Sequence, residues 1–247
     1  MKEWDYENDQ WLNLPGHLKH LPLFTRSFDL VSIFFKYLWA LVLKIVFTFY
    51  IRIQIVGGDW KSLFQKHPKL LIMSNHSSHI DAVAIAASIP VHYWSHLYLT
   101  AAKDYWFSNP IFTFFSKHCL GAIPIDRKKN PKEAISLCTT LLNNLDPIWM
   151  LLFPEGSRSV DGTLQKLKAG VSIFSTTTNT PILFLYLEGA NKLMAKKQIL
   201  PKSGVVKIHI GKVIPPSNIE EIQKQYTQWV SKIQPDSVGE SSMDGSH

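Results

Sequence analysis

The segment Asn75-His76-Ser77-Ser78-His79-Ile80-Asp81 sets an imidazole and a carboxylate five positions apart. On one straight helix that spacing turns the two side chains about 140° from each other, and they cannot meet. They meet if His76 stays in a turn and Asp81 opens the next helix, a boundary that the apolar pattern of Asp81–Ser88 supports. Asp81 then accepts a hydrogen bond from one ring nitrogen, fixes the tautomer and leaves the other nitrogen as a general base. The same residues also read as an ordinary polar turn, since Ser77, Ser78 and Asp81 all cap helices well. A serine nucleophile at Ser77 or Ser78 would lack the Gly-x-Ser-x-Gly elbow. A metal site at His76 and His79 would lack both a His-Glu-x-x-His pattern and cysteine partners.

A second segment is Phe153-Pro154-Glu155-Gly156-Ser157-Arg158-Ser159. Arg158 offers a planar fork for phosphate or carboxylate. Glu155 can accept a hydrogen bond from a substrate hydroxyl, and Gly156 lets a backbone approach closely. The plainer reading is a turn with an exposed ion pair. A third segment, Gly121-Ala122-Ile123-Pro124-Ile125-Asp126-Arg127, runs into Lys128 and Lys129. Such a cluster suits a phosphate or lipid headgroup, or is simply a solvated charge run. Lys103, Lys166 and Lys168 add positive charge beside expected strand ends and helix starts.

Strands must position these segments. Short apolar runs at 70–74 (LLIMS), 121–125 and 149–153 (WMLLF) lead into them. Ligands in open α/β sheets collect at the carboxyl ends of strands. Further strands are expected at 51–56, 97–101, 182–187 and 205–210, and helices at 81–88, 110–119, 131–145, 167–178 and 218–233. The alternation predicts an α/β fold, a mostly parallel central sheet flanked by helices and preceded by an N-terminal apolar, membrane-attaching helical segment. The expected division is a helical membrane-attachment segment at 1–50, an α/β domain at 51–234 and a disordered tail at 235–247.

The stretch 30–51 reads LVSIFFKYLWALVLKIVFTFYI. About 20 apolar residues suffice to span a membrane. Lys36 and Lys44 interrupt the stretch and lie roughly 80° apart on a helix, on one broad side. It fits a helix or hairpin lying in the interface, a span with snorkelling lysines, or a buried core helix.

Composition narrows the partners. The 247 residues carry a formal net charge of +7, which favours anionic partners. The aromatic residues gather in apolar stretches rather than between Arg and Lys, and no nucleic-acid-binding signature occurs, so no nucleic-acid partner is expected. Charged residues are only 18%, below what a disordered or coiled-coil chain carries. Cys119 and Cys138 form no CxxC pair, which argues against a zinc ribbon or thioredoxin-like site. No metal or cofactor is expected. The first 20 residues hold no continuous apolar core, so no secretory leader is expected.

In order and spacing, the three segments resemble the glycerolipid acyltransferase family, most of all the bacterial 1-acylglycerol-3-phosphate acyltransferases, the PlsC family. That pattern is Asn-His with four residues to Asp, then Gly-x-Ile-x-Ile-Asp-Arg, then Phe-Pro-Glu-Gly-Thr-Arg-Ser, then a Pro-rich strand. The last is here Thr180-Pro181-Ile182-Leu183-Phe184. Ala102-Lys103 and Lys166-Leu167-Lys168-Ala169-Gly170 also resemble family segments, and the resemblance covers about residues 51–215.

The resemblance implies that His76 is the general base and Asp81 its orienting partner. A glycerol hydroxyl would attack an acyl thioester without a covalent acyl-enzyme. Arg127 and Arg158 would hold the acceptor's phosphate, with Lys103 a further candidate. Glu155 would position the glycerol backbone, and Gly156 and Ser157 would shape the loop. The implied activity is acyl transfer to lysophosphatidic acid, giving phosphatidic acid in phospholipid biosynthesis. The donor would be acyl-CoA or acyl-carrier protein, with no cofactor. The implied partner is a lipid bilayer, and the implied place is the cytoplasmic side of the cell inner membrane, held by residues 28–51. The chain departs from the pattern at Pro124, at Ser157, which keeps the hydroxyl of the usual Thr, and at Leu183-Phe184, where Pro-Val is common. An acyltransferase acting on another lysolipid is the first alternative. A non-catalytic protein that binds acidic lipid would leave the His–Asp and Glu–Arg placement unexplained. A serine-type lipid hydrolase would lack its nucleophile elbow.

Overall fold

A computed structural model describes residues 30–102, 110–125, 131–194, 198 and 200–237. Its strands are β1 (Ile51–Val56), β2 (Lys69–Ser74), β3 (Leu97–Ala102), β4 (Ala122–Ile125), β5 (Ile148–Leu152), β6 (Ile182–Glu188) and β7 (Gly204–Ile214). Its helices are α1 (Leu30–Phe49), α2 (Trp60–Lys66), α3 (Asp81–Ser88), α4 (Pro110–Phe114), α5 (Pro131–Asn144), α6 (Gly170–Thr178), α7 (Ala190–Leu193) and α8 (Ile219–Ile233). A π-helical turn, Phe115–Cys119, continues α4.

The strands form one sheet in the order β1-β7-β6-β2-β5-β3-β4. Every neighbouring pair is parallel except β6 with β7. The central strands are near-continuous apolar runs because helices cover both faces. On one face Leu71, Met73, Met150 and Phe184 meet Leu141 of α5, Phe174 of α6 and Tyr226 of α8. On the other, Leu70, Ile72, Trp149 and Leu185 meet Leu43 of α1, Phe64 of α2 and Ile85 of α3. The parallel strands β2, β5, β3 and β4 all deliver their carboxyl ends to one rim, as the sequence reading requires.

Helix α1 belongs partly to this core. Ala40, Leu43 and Phe47 are buried, while Phe34, Leu41, Ile45 and Phe49 stay exposed, Phe49 at 85%. Its two lysines part company: Lys44 is exposed, but Lys36 is 2% exposed. The Lys36 ammonium donates to Trp94 O at 3.3 Å and stands 5.4 Å from the Tyr98 ring centroid. A carbonyl and an aromatic face thus compensate the buried charge. Gly121 makes room for it, since a Cβ there would lie 2.8 Å from Lys36 Nζ. No described helix is long and apolar enough to cross a membrane.

Three local expectations change. The helix expected from 167 begins at Gly170; the residues before it form a strap, with Leu167 N–H donating to Gln223 and Lys168 N–H to Pro154 O. The segment Trp60–Lys66, not expected as a helix, forms α2, with Asp59 accepting Ser62 N–H at its N-cap. The expected tail is ordered at its start, where Pro235–Ser237 form a 3₁₀ turn and Leu164 N–H donates to Ser237 O. Residues 238–247 lie outside the described residues.

Candidate active site

Strand β2 ends in register with β6, Ser74 opposite Leu185. One residue later the Asn75 side chain continues the pairing in place of backbone. Its Nδ2 donates to Leu187 O at 3.0 Å and its Oδ1 accepts Leu187 N–H at 2.8 Å. The main chain is thereby released from the sheet and turns, and His76 is the first residue of that turn.

His76 and Asp81 meet as the spacing argument requires. Asp81 opens α3, and its Oδ2 lies 2.9 Å from His76 Nδ1. The same oxygen accepts Ser77 N–H at 2.7 Å and Ser78 N–H at 2.8 Å. Three N–H groups on one oxygen compensate a carboxylate that is fully buried. Asp81 can only accept, so neutral His76 carries its proton on Nδ1 and presents Nε2 as a base. The Phe153 ring stacks on the imidazole, with centroids 4.3 Å apart and planes 22° apart, and fixes the ring plane. Nε2 has no hydrogen-bond partner among the described residues, and the side chain keeps 23% exposure. Ser78 has a structural task, donating to Met194 O at 2.7 Å from a fully buried position.

The loop after β5 closes on this turn. Ser159 N–H donates to His76 O at 2.7 Å, and His76 N–H donates to Glu155 Oε1 at 3.2 Å. Glu155 is buried, and burial first, then the nearby Asp81 charge, pushes its carboxyl up to about 8. Backbone N–H groups of His76 and Gln165 oppose the shift. Near neutrality the group is therefore held mainly as the acid. Oε1 serves the turn, and Oε2 has no partner among the described residues. Glu155 thus holds the His76 main chain, a contact the sequence reading did not foresee.

Gly156 has φ +73°, and a Cβ there would lie 2.6 Å from Lys168 Nζ, because the Lys168 side chain crosses this glycine. The left-handed backbone demands glycine, while the Lys168 side-chain end could shift to admit a Cβ. Ser157 is exposed and donates through Oγ to Gln165 Oε1 at 3.2 Å; Arg158 is half-buried in the same loop. The structure therefore brings His76, Asp81, Glu155, Gly156, Ser157 and Arg158 to one rim of the sheet. Lys103 and Arg127 follow the ends of β3 and β4 in sequence and lie outside the described residues, as do Lys128 and Lys129. Asn75, Gln165, Gln223 and Tyr226 also serve the site. Asn75 is the Asn of the Asn-His pattern, with no role assigned to it there; no signature marks the others, and the bonds of Gln223 and Tyr226 are made across the fold.

Residues 60–207 match the family model described as Acyltransferase. The chain is 24% identical over 201 residues to 1-acyl-sn-glycerol-3-phosphate acyltransferase alpha of Ovis aries, covering 76% of this chain and 62% of that protein. It is 25% identical over 185 residues to 1-acyl-sn-glycerol-3-phosphate acyltransferase BAT2, chloroplastic, of Brassica napus, covering 74% of this chain and 49% of that one. The chain thus spans about half to three fifths of these relatives' length. The fold is that of the crystal structure of the 1-acyl-sn-glycerophosphate (LPA) acyltransferase PlsC from Thermotoga maritima. The TM-score is 0.65 and the identity 19%, over 80% of this chain and 77% of that one.

Proposed function

The chain belongs to the Acyltransferase family, and from that premise we propose that it moves an acyl group from a thioester to the free hydroxyl of 1-acylglycerol 3-phosphate. The product is phosphatidic acid. The observation that carries this reading is the 2.9 Å contact between His76 Nδ1 and Asp81 Oδ2, which leaves Nε2 as an acceptor at the strand-end rim. His76 Nε2 takes the hydroxyl proton as the hydroxyl oxygen attacks the thioester carbonyl. The C–O bond forms, the C–S bond breaks, and the departing thiolate takes the proton from the imidazolium. Asp81 stabilises that imidazolium without itself taking the proton. Arg158 and Arg127 hold the phosphate, with Lys103 beside them, and Glu155, Gly156 and Ser157 set the glycerol backbone against the base. The donor is acyl-CoA or acyl-carrier protein, and the chemistry needs no cofactor.

The acceptor enters from a bilayer. The exposed apolar side of α1, with Phe34, Leu41, Ile45 and Phe49, lies in the interface, while Ala40, Leu43 and Phe47 hold the helix to the domain. The proposed place is the cytoplasmic side of the inner membrane, as the family resemblance implies. The acceptor is tested by offering labelled acyl-CoA with either 1-acylglycerol 3-phosphate or lysophosphatidylcholine. Transfer to the first and not the second supports the reading; the reverse preference overturns it.

A further inference from the structure

Helix α8 lies beyond residues 60–207, yet two of its side chains end in the active-site loops. Tyr226 is fully buried. Its hydroxyl accepts Asn75 N–H at 2.9 Å and donates to Leu185 O at 2.7 Å. These two bonds sit where β2 stops pairing and the chain turns to His76. One turn earlier on the same helical side, Gln223 Oε1 accepts Leu167 N–H at 2.7 Å. The Gln223 amide nitrogen donates to Thr227 Oγ1 at 3.1 Å, which keeps the oxygen toward Leu167.

Leu167 belongs to a strap behind the second loop. Two residues before it, Gln165 Oε1 accepts the Ser157 hydroxyl at 3.2 Å, and one residue after it, Lys168 N–H donates to Pro154 O at 2.8 Å. One helix thus grips the root of the His76 turn through Tyr226 and the backing of the Glu155 loop through Gln223. The two loops are themselves joined by His76 N–H to Glu155 and Ser159 N–H to His76 O. Phe184 and Trp229 flank the Tyr226 ring, which holds the hydroxyl in place. The phenol and the amide each answer a main-chain N–H that would otherwise be left without its strand or helix partner.

We infer that α8 is a clamp that sets the catalytic turn against the Glu155 loop, with Tyr226 and Gln223 as positioning residues acting through Asn75 and Leu167. Neither residue is assigned a contact with substrate. The kinetic readout rests on the acyl-transfer reading, whereas the clamp itself is also read by amide exchange.

The test uses Tyr226→Phe and Gln223→Leu, with Val230→Ala as a control on the same helix. Val230 is fully buried in the same core, so its truncation lowers stability through lost packing. Tyr226→Phe and Gln223→Leu should each lower kcat at least ~10-fold with KM for both substrates within about twofold, the signature of a misplaced base. Val230→Ala should keep kcat within about twofold even where its Tm falls as far. In Tyr226→Phe, amides of 75–78 should exchange at least ~10-fold faster while those of β1 hold their rates. A wild-type kcat in Tyr226→Phe, or a loss in Val230→Ala that tracks Tm equally, overturns the clamp. If the wild-type protein makes no phosphatidate, the functional reading fails by itself, and amide exchange decides the clamp: unchanged protection at 75–78 in Tyr226→Phe overturns it.

Discussion

Asp81 holds His76 and the two residues after it with a single carboxylate oxygen, at 2.9 Å from the imidazole and 2.7 and 2.8 Å from the amides of Ser77 and Ser78. An amide oxygen could accept the same bonds but brings no negative charge to an imidazolium. Asp81→Asn should therefore keep the turn and lose transition-state stabilisation, with kcat down by ~10²–10⁴-fold and KM little changed. Steady-state kinetics with both substrates varied checks this. A wild-type kcat in the variant would remove Asp81 from the mechanism.

Glu155 makes stability depend on pH. Its folded value, about 8, stands above the ordinary 4.5. Below the ordinary value both states hold the proton. Between the two values only the folded protein keeps it, so stability is fully present at the acid end and falls as pH rises. Glu155→Gln removes the titration while keeping an oxygen for His76 N–H. Relative to the variant, the wild type should lose up to ~1.4 kcal/mol per pH unit across that window. Denaturant unfolding at several pH values reads the difference, and parallel profiles would contradict the buried acid.

The outward side of α1 can be charged without touching the core. Leu41 and Ile45 are 56% and 51% exposed, while the core contacts come from Ala40, Leu43 and Phe47. Leu41→Glu with Ile45→Glu should abolish co-sedimentation with anionic phospholipid vesicles and change stability by only about 0.5 kcal/mol per site. Undiminished vesicle binding would place the attachment elsewhere.

The strands were legible because β2, β5 and β6 are short apolar runs between turns, the pattern of strands covered on both faces. The His76–Asp81 pair was legible conditionally: its spacing excludes one helix and demands a turn followed by a helix start, which the fold supplies. Lys36 was not. It interrupts an apolar stretch, and its burial rests on partners distant in sequence, among them the Trp94 carbonyl and the Tyr98 ring. Helix α6 opens at Gly170 rather than Leu167, and the Leu167 amide is instead tied to Gln223, far along the chain, a contact that no local pattern announces. Tyr226 reaches Asn75 across 151 positions, and no local pattern announces such a bond. Helix α2 spans only seven residues, too few for a helical period to declare itself.

In the proposed reaction His76 is the base of the acyl transfer. Purified protein in lipid would be given 1-acylglycerol 3-phosphate and radiolabelled acyl-CoA, then the same acyl group on acyl-carrier protein, beside His76→Ala. Labelled phosphatidate should form with at least one donor in the wild type and fall at least ~100-fold in the variant. Equal product from His76→Ala, or none from the wild type with either donor, would contradict the account.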